Sequence, residues 1–195
     1  MFGKTFSHYL GVLLGSELPQ TQTTLAERDL LKKYIPGKKR IVEIGVFEGF
    51  TTQVLAEESD PDSTIYGVDP FFRGRLAISW GLQITKQYNR KYLASGKLRL
   101  VQTLSTEVGT QIPIPVDFVF IDGDHSLGGI TADWEFWTSR IVSGGIIALH
   151  DTVLKPDQPK SAELGSHHYF QSHIQQDFRF DFIDQVDSLS ILKKR

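Results

Sequence analysis

Apolar residues gather along this chain in short runs that stop abruptly at polar ones, and the runs alternate with stretches of helical spacing. Ile41 to Ile44, Thr64 to Val68, Leu98 to Gln102, Val116 to Ile121 and Ile146 to Leu149 are short, apolar and bounded by Gly, Pro, Asp or Ser, which predicts strands. Thr24 and Glu27 have the spacing of a capping box. Leu25, Leu30, Leu31 and Tyr34 then recur at helical intervals until Pro36-Gly37, predicting a helix ahead of the first strand. Further helices are predicted at Thr51 to Glu58, near Ile84 to Ala94, and at Ile130 to Val142, where Ile130, Trp134, Trp137 and Ile141 share one face. Such alternation argues for an α/β fold: a doubly wound, Rossmann-like parallel sheet covered on both faces. A helix around His167 to Gln175 ends the alternation. Phe178 to Gln185 and Ser188 to Leu192 then lie close together about Asp187, which predicts a hairpin and hence an antiparallel strand.

Chemistry sits where the strands end. Phe118-Val-Phe-Ile-Asp-Gly-Asp-His125 runs an apolar strand into two acids and a histidine, and Gly145 to Leu149 runs into His150 and Asp151. Neighbouring strands lie about 4.8 Å apart, so Asp122, His150 and Asp151 are candidate ligands of one divalent cation. His125, three residues past Asp122, is a candidate general base. The plain alternative is that Asp124 and His125 cap the next helix and that His150 and Asp151 bond a turn. Upstream, Glu43-x-Gly45-x-x-x-Gly49 joins a strand to a helix, with glycines that permit a tight turn and leave free helix N–H groups for a ligand. Asp69 ends the next strand, where an acid accepts from both hydroxyls of a ribose or caps the turn before Pro70. Phe71 to Gly81 and Thr152 to Ser166 are expected to be loops at the substrate side, the first of them a long loop or lid. Trp134 and Trp137 are expected in the core, and His167, His168 and His173 in solvent.

Composition narrows the partners. The 195 residues suffice for one substantial core, and a single domain spanning 1–195, with a helical extension over about 1–37, is expected. A net charge of -2, with both signs mixed along the chain, leaves no basic footprint for nucleic acid. No cysteine is present, so any metal must be held by oxygen and imidazole; a cytoplasmic location fits the same fact. Tyr9 to Gly15 is apolar but too short to span a membrane, and is expected to pack on the domain or on a second copy of the chain.

Ile41-Val-Glu-Ile-Gly-x-x-x-Gly49, Gly67-Val-Asp69, Phe120-Ile-Asp-Gly-Asp-His125, Asp133-x-Glu135-x-Trp137 and Gly144-Gly-x-Ile-x-Leu-His-Asp151 together resemble class I S-adenosylmethionine-dependent methyltransferases. Within them, the subgroup of macrolide-sugar O-methyltransferases and cephalosporin-hydroxylase-like proteins is similar. The resemblance implies a seven-stranded sheet with a terminal antiparallel strand. It implies that Glu43, Gly45 and Gly49 cradle the methionine part of the cofactor and Asp69 its ribose, with Asp122 also at the cofactor. Asp122, His150 and Asp151 fall on metal-ligand positions, for magnesium or manganese, and His125 on that of the base. Two departures stand out. An acid is common where His150 stands, and Thr103-Leu104-Ser105 lacks the acid that often reads adenine, which leaves adenine to backbone and apolar contacts. The implied activity is O-methylation of a small hydroxylated acceptor, alone or as a homo-oligomer. A nucleotide-cofactor oxidoreductase and a non-catalytic cofactor-binding scaffold are the alternatives.

Overall fold

A computed structural model describes residues 2–74, 77–153 and 164–195. The chain runs α1 (Phe2–Leu14), α2 (Leu25–Tyr34), β1 (Arg40–Ile44), α3 (Phe50–Glu58), β2 (Thr64–Val68), α4 (Trp80–Tyr88), α5 (Arg90–Ala94), β3 (Leu98–Val101), β4 (Val116–Ile121), α6 (Leu127–Thr138), β5 (Ile141–Leu149), α7 (Gly165–Ser172), β6 (Phe180–Val186) and β7 (Leu189–Lys194). Seven strands form one sheet in the order β3-β2-β1-β4-β5-β7-β6. All neighbours are parallel except that β7 lies antiparallel between β5 and β6. The expected seven-stranded α/β sheet with an antiparallel terminal strand is therefore present.

Strand alternation divides the core in two. On β4, Val119 and Ile121 face one side, with Trp134, Trp137 and Phe170; Phe118 and Phe120 face the other, with Leu31 and Leu55. Both tryptophans are buried core residues, as expected. Each buried side chain of this size contributes about 1.5–3 kcal/mol, so the two apolar layers hold the sheet that carries the site.

The capping box forms as expected: Thr24 Oγ1 accepts from Glu27 N and Glu27 Oε2 accepts from Thr24 N. The helix expected near Ile84 to Ala94 starts earlier and breaks at Asn89, whose side chain donates to Gly49 O, a backbone group outside that helix. The helix expected to run to Val142 stops at Thr138, and Ile141 opens β5 instead. Ile141 does share a face with Ile130 and Trp137, but its register partner is Val116 on β4, with an irregularity before Phe118 pairs with Ile146. Residues 75 and 76 of the expected lid, and 154–163 of the second loop, lie outside the described residues.

Candidate active site

The strand order reverses between β1 and β4, and the C-terminal ends of β2, β1 and β4 surround a cavity of about 640 Å³. Open α/β sheets bind ligands at such a switch point. Gly45 follows β1 at φ +86, and a Cβ there would stand 2.0 Å from Asp122 O, so nothing larger fits between the β1 and β4 loops. Gly49, at φ +79, caps α3 without a side chain, which leaves the helix N–H groups toward the turn.

Asp69 works first as a clamp on this turn. Its Oδ2 accepts from Val46 N and Phe47 N at 3.0 and 3.1 Å, and its Oδ1 from Phe71 N at 2.6 Å. A carboxylate offers about four acceptor positions, so capacity remains for a ligand hydroxyl. Glu43 sits differently from Gly45. Strand alternation turns it to the α3 side, where Thr52 Oγ1 donates to its Oε2 and it is fully buried, away from the cavity lining. Burial raises its pKa well above the usual carboxylate value, and the Thr52 hydrogen bond only partly opposes this. A protonated Glu43 under the glycine turn is the arrangement that limits that cost. Of Glu43, Gly45 and Gly49, Gly45 is the one that lines the cavity.

Adjacent ends of β4 and β5 bring Asp122, His150 and Asp151 together, and His125 joins them. His150 Nδ1 stands 2.9 Å from Asp122 Oδ1 and 3.6 Å from Asp151 Oδ1. His125 lies between the same acids, Nε2 3.8 Å from Asp122 Oδ1 and Nδ1 3.6 Å from Asp151 Oδ2. Asp151 holds a left-handed φ of 54, a strained conformation for a non-glycine residue and one often found at functional sites. Asp124 accepts from Ser126 N and Oγ, and Ser126 caps α6, so Asp124 takes the turn role while His125 stays half-buried at the cavity.

The contact that sequence reasoning missed comes from α2. Glu27, the capping-box acid, is fully buried and reaches across to the sheet: its Oε1 accepts from Ser188 N and Oγ, and its Oε2 lies 3.2 Å from His150 Nε2. Burial opposes charge on His150, but Asp122, Glu27 and Asp151 together raise its pKa well above the usual imidazole value. Burial likewise opposes charge on Glu27, and His150 and Ser188 outweigh it and lower its pKa. The carboxylates around His150 thus favour its charged form.

Two atoms of this set, His150 Nδ1 and Asp122 Oδ1, are buried without a hydrogen-bond partner. A ligating imidazole is neutral with one nitrogen open and commonly turns its other nitrogen to a carboxylate; His150 turns Nε2 to Glu27 and has Nδ1 2.9 Å from Asp122 Oδ1 with no hydrogen bond between them. Among the described residues, no group of three or more His, Cys, Asp or Glu is arranged to hold a metal.

Two further parts of the lining are not among the predicted site residues. Gln20, Thr21 and Gln22 border the cavity, held there by Gln20 N donating to Glu48 Oε2 at 2.6 Å while His8 Nε2 contacts the same oxygen at 2.9 Å. Asp133, on α6, is buried at the opposite wall with Ser105, whose hydroxyl donates to its Oδ1. A second, more open depression shares Gly123, Asp124 and His125 with the cavity and continues to Leu164, Gly165 and His168. His168 is exposed there, whereas His167 bonds Thr152 O through Nδ1.

A doubly wound sheet with a glycine turn, an acid ending β2 and a cavity at the switch point is the architecture in which open α/β sheets bind ligands. The class is narrower than that: residues 42–152 match the family model described as a methyltransferase domain, and the chain belongs to that family. No curated protein matches the chain. Among solved structures, it is similar to the O-methyltransferase TomG of Streptomyces achromogenes, involved in tomaymycin synthesis and solved with SAM (16% identity, 97% of this chain and 89% of that one, TM-score 0.66). An O-methyltransferase from Bacillus cereus in complex with SAH is similar at 16% identity, 98% and 91% coverage and TM-score 0.65. An rRNA methylase from Streptococcus thermophilus is similar at 17% identity, 90% and 99% coverage and TM-score 0.60. These likenesses concern the fold.

No helix among the described residues is long and apolar enough to cross a membrane.

Proposed function

We propose that the protein transfers a methyl group from S-adenosylmethionine to a hydroxyl oxygen of a small acceptor, with His125 as the base. The observation that carries this reading is the place of His125 on the boundary between two pockets, one at the glycine turn and one toward α7. Cofactor on one side and acceptor on the other put the reacting atoms at His125. The residues fit the cofactor: Gly45 leaves room for close backbone approach, Asp69 offers acceptor capacity to a ribose, and Asp122 borders the same cavity.

When bound, S-adenosylmethionine supplies an electrophilic methyl on a sulfonium and leaves as the thioether S-adenosylhomocysteine. An imidazole nitrogen of His125 takes the proton of the acceptor hydroxyl as the oxygen–carbon bond forms and the carbon–sulfur bond breaks. That proton arrives between Asp122 and Asp151, which stand 3.8 and 3.6 Å from the ring nitrogens. His150, buried behind the two acids and backed by Glu27, holds them in place. General base catalysis of this kind contributes about 10²–10⁴-fold, and holding two substrates in line about 7–11 kcal/mol.

The mixed surface charge, net -2, favours a small acceptor over a nucleic acid. Because Gln20 to Gln22 border the cavity, the N-terminal extension is proposed to belong to the same unit as the sheet. Calorimetric titration with S-adenosylhomocysteine tests the reading. Micromolar or tighter binding is expected for the wild type, with a loss of at least tenfold in Asp69→Ala. A folded wild type that binds none of it would refute the reading. Labelled methyl transfer to a panel of phenols and sugars then separates an enzyme from a scaffold that only binds.

A further inference from the structure

We infer that Asp133 reads the exocyclic amine of the cofactor's adenine, a role that the segment after β3 cannot fill. This rests on the proposed S-adenosylmethionine site and goes further into it. Thr103-Leu104-Ser105, leaving β3, carries no acid, yet Leu104 and Ser105 border the cavity. The carboxylate comes instead from α6. Asp133 is buried at the same wall, and Ser105 Oγ donates to its Oδ1. Among the described residues no donor reaches Oδ2, so one strong acceptor is left at a cavity wall.

Adenine presents two N–H donors at its six position, and a base buried beside a carboxylate satisfies both partners. Asp69 and Asp133 then divide the nucleoside between them, one at the end of β2 for the ribose and one on α6 for the base. Gly123, between Asp122 and Asp124, lines the same cavity beside this carboxylate: a Cβ there would lie 3.7 Å from Asp133 Oδ2. Burial pushes the Asp133 carboxyl up to about 6, with Ser105 opposing the shift, so the group is ionised in an assay at pH 8. A buried acid without such a partner is costly, which gives the position a reason beyond packing.

The test compares S-adenosylhomocysteine with the analogue that carries hydrogen in place of the amine, by calorimetry at pH 8. Wild type is expected to bind the parent about tenfold or more tighter, the usual effect of one hydrogen bond to a charged group. In Asp133→Asn the preference shrinks to within about threefold, because a neutral amide is a weaker acceptor. Asp133→Ser, smaller and still polar, is the second variant, and thermal unfolding checks that each is folded. Equal affinity of the wild type for both ligands, or an undiminished preference in both folded variants, overturns the assignment of Asp133 alone. Failure of the wild type to bind either ligand overturns the cofactor site as well.

Discussion

Removing the Glu27 carboxylate tests whether α2 is fastened to the sheet through the site. In Glu27→Ala four contacts go at once: the return bond to Thr24 N (2.8 Å), those from Ser188 N (3.0 Å) and Oγ (2.6 Å), and the 3.2 Å contact with His150 Nε2. His150 and Ser188 are buried and would keep their demand for a partner. Breaking a buried pair by deleting one member costs about 3–5 kcal/mol. For a domain of this size each kcal/mol moves Tm by about 2–4 °C, so a fall of about 6–20 °C is expected by circular dichroism. The pH dependence has a definite shape. Glu27, with its folded pKa lowered from 4.5, contributes fully above pH 4.5, and the contribution is lost as pH falls through the folded value. His150, raised from 6.5, contributes fully below pH 6.5, and that is lost as pH rises through its folded value. The gap between wild type and Glu27→Ala should therefore be widest from pH 4.5 to 6.5 and narrow on both sides. A fall in Tm under 3 °C, or a gap that does not change with pH, would refute the coupling.

Further outcomes follow from the same geometry. His125→Ala should lower methyl transfer by about 10²–10⁴-fold while leaving S-adenosylhomocysteine affinity within twofold; an unchanged rate with a true acceptor removes the base assignment. Gly45→Ala forces a Cβ to within 2.0 Å of Asp122 O at φ +86, and is expected to abolish cofactor binding and cost more than about 1 kcal/mol of stability, measured by urea unfolding. Chelation with EDTA should leave turnover unchanged, since among the described residues no group of three or more His, Cys, Asp or Glu is arranged to hold a metal; restoration by magnesium of an EDTA-inactivated enzyme would count decisively the other way.

Much of this fold could be read locally, because strands β1, β2 and β4 announce themselves by apolar runs cut off by chemistry, and Thr24 and Glu27 by their spacing. Asp122, His125, His150 and Asp151 were legible for the same reason: adjacent parallel strands deliver their ends side by side. Non-local contacts were not. Nothing near Glu27 signals a partner 123 residues away, and its capping role hid the second one. Ile141 continued a helical stripe that the helix itself abandons, since pairing with β4 outcompetes another half turn. Asp133 passed for one residue of a motif because a helix position carries no hint of which wall of a cavity it faces. Glu43 could have been placed better from alternation alone: with Ile41 on one face of β1, it shares that face, away from the Val42 side.

The position of β7 bears on how the molecule is assembled. Strand β6 precedes it in the chain yet has no place on the sheet until β7 has paired with β5. The pair must therefore be added together, after the parallel strands have a free edge to offer, and that closure spans a long stretch of chain. Ser188, in the turn just ahead of β7, reaches Glu27 only once this happens. A ribosome-bound chain that has not yet released β7 thus carries every residue lining the switch-point cavity but lacks the clasp behind His150, so rescue of folding by a ligand of that cavity should act only late in synthesis.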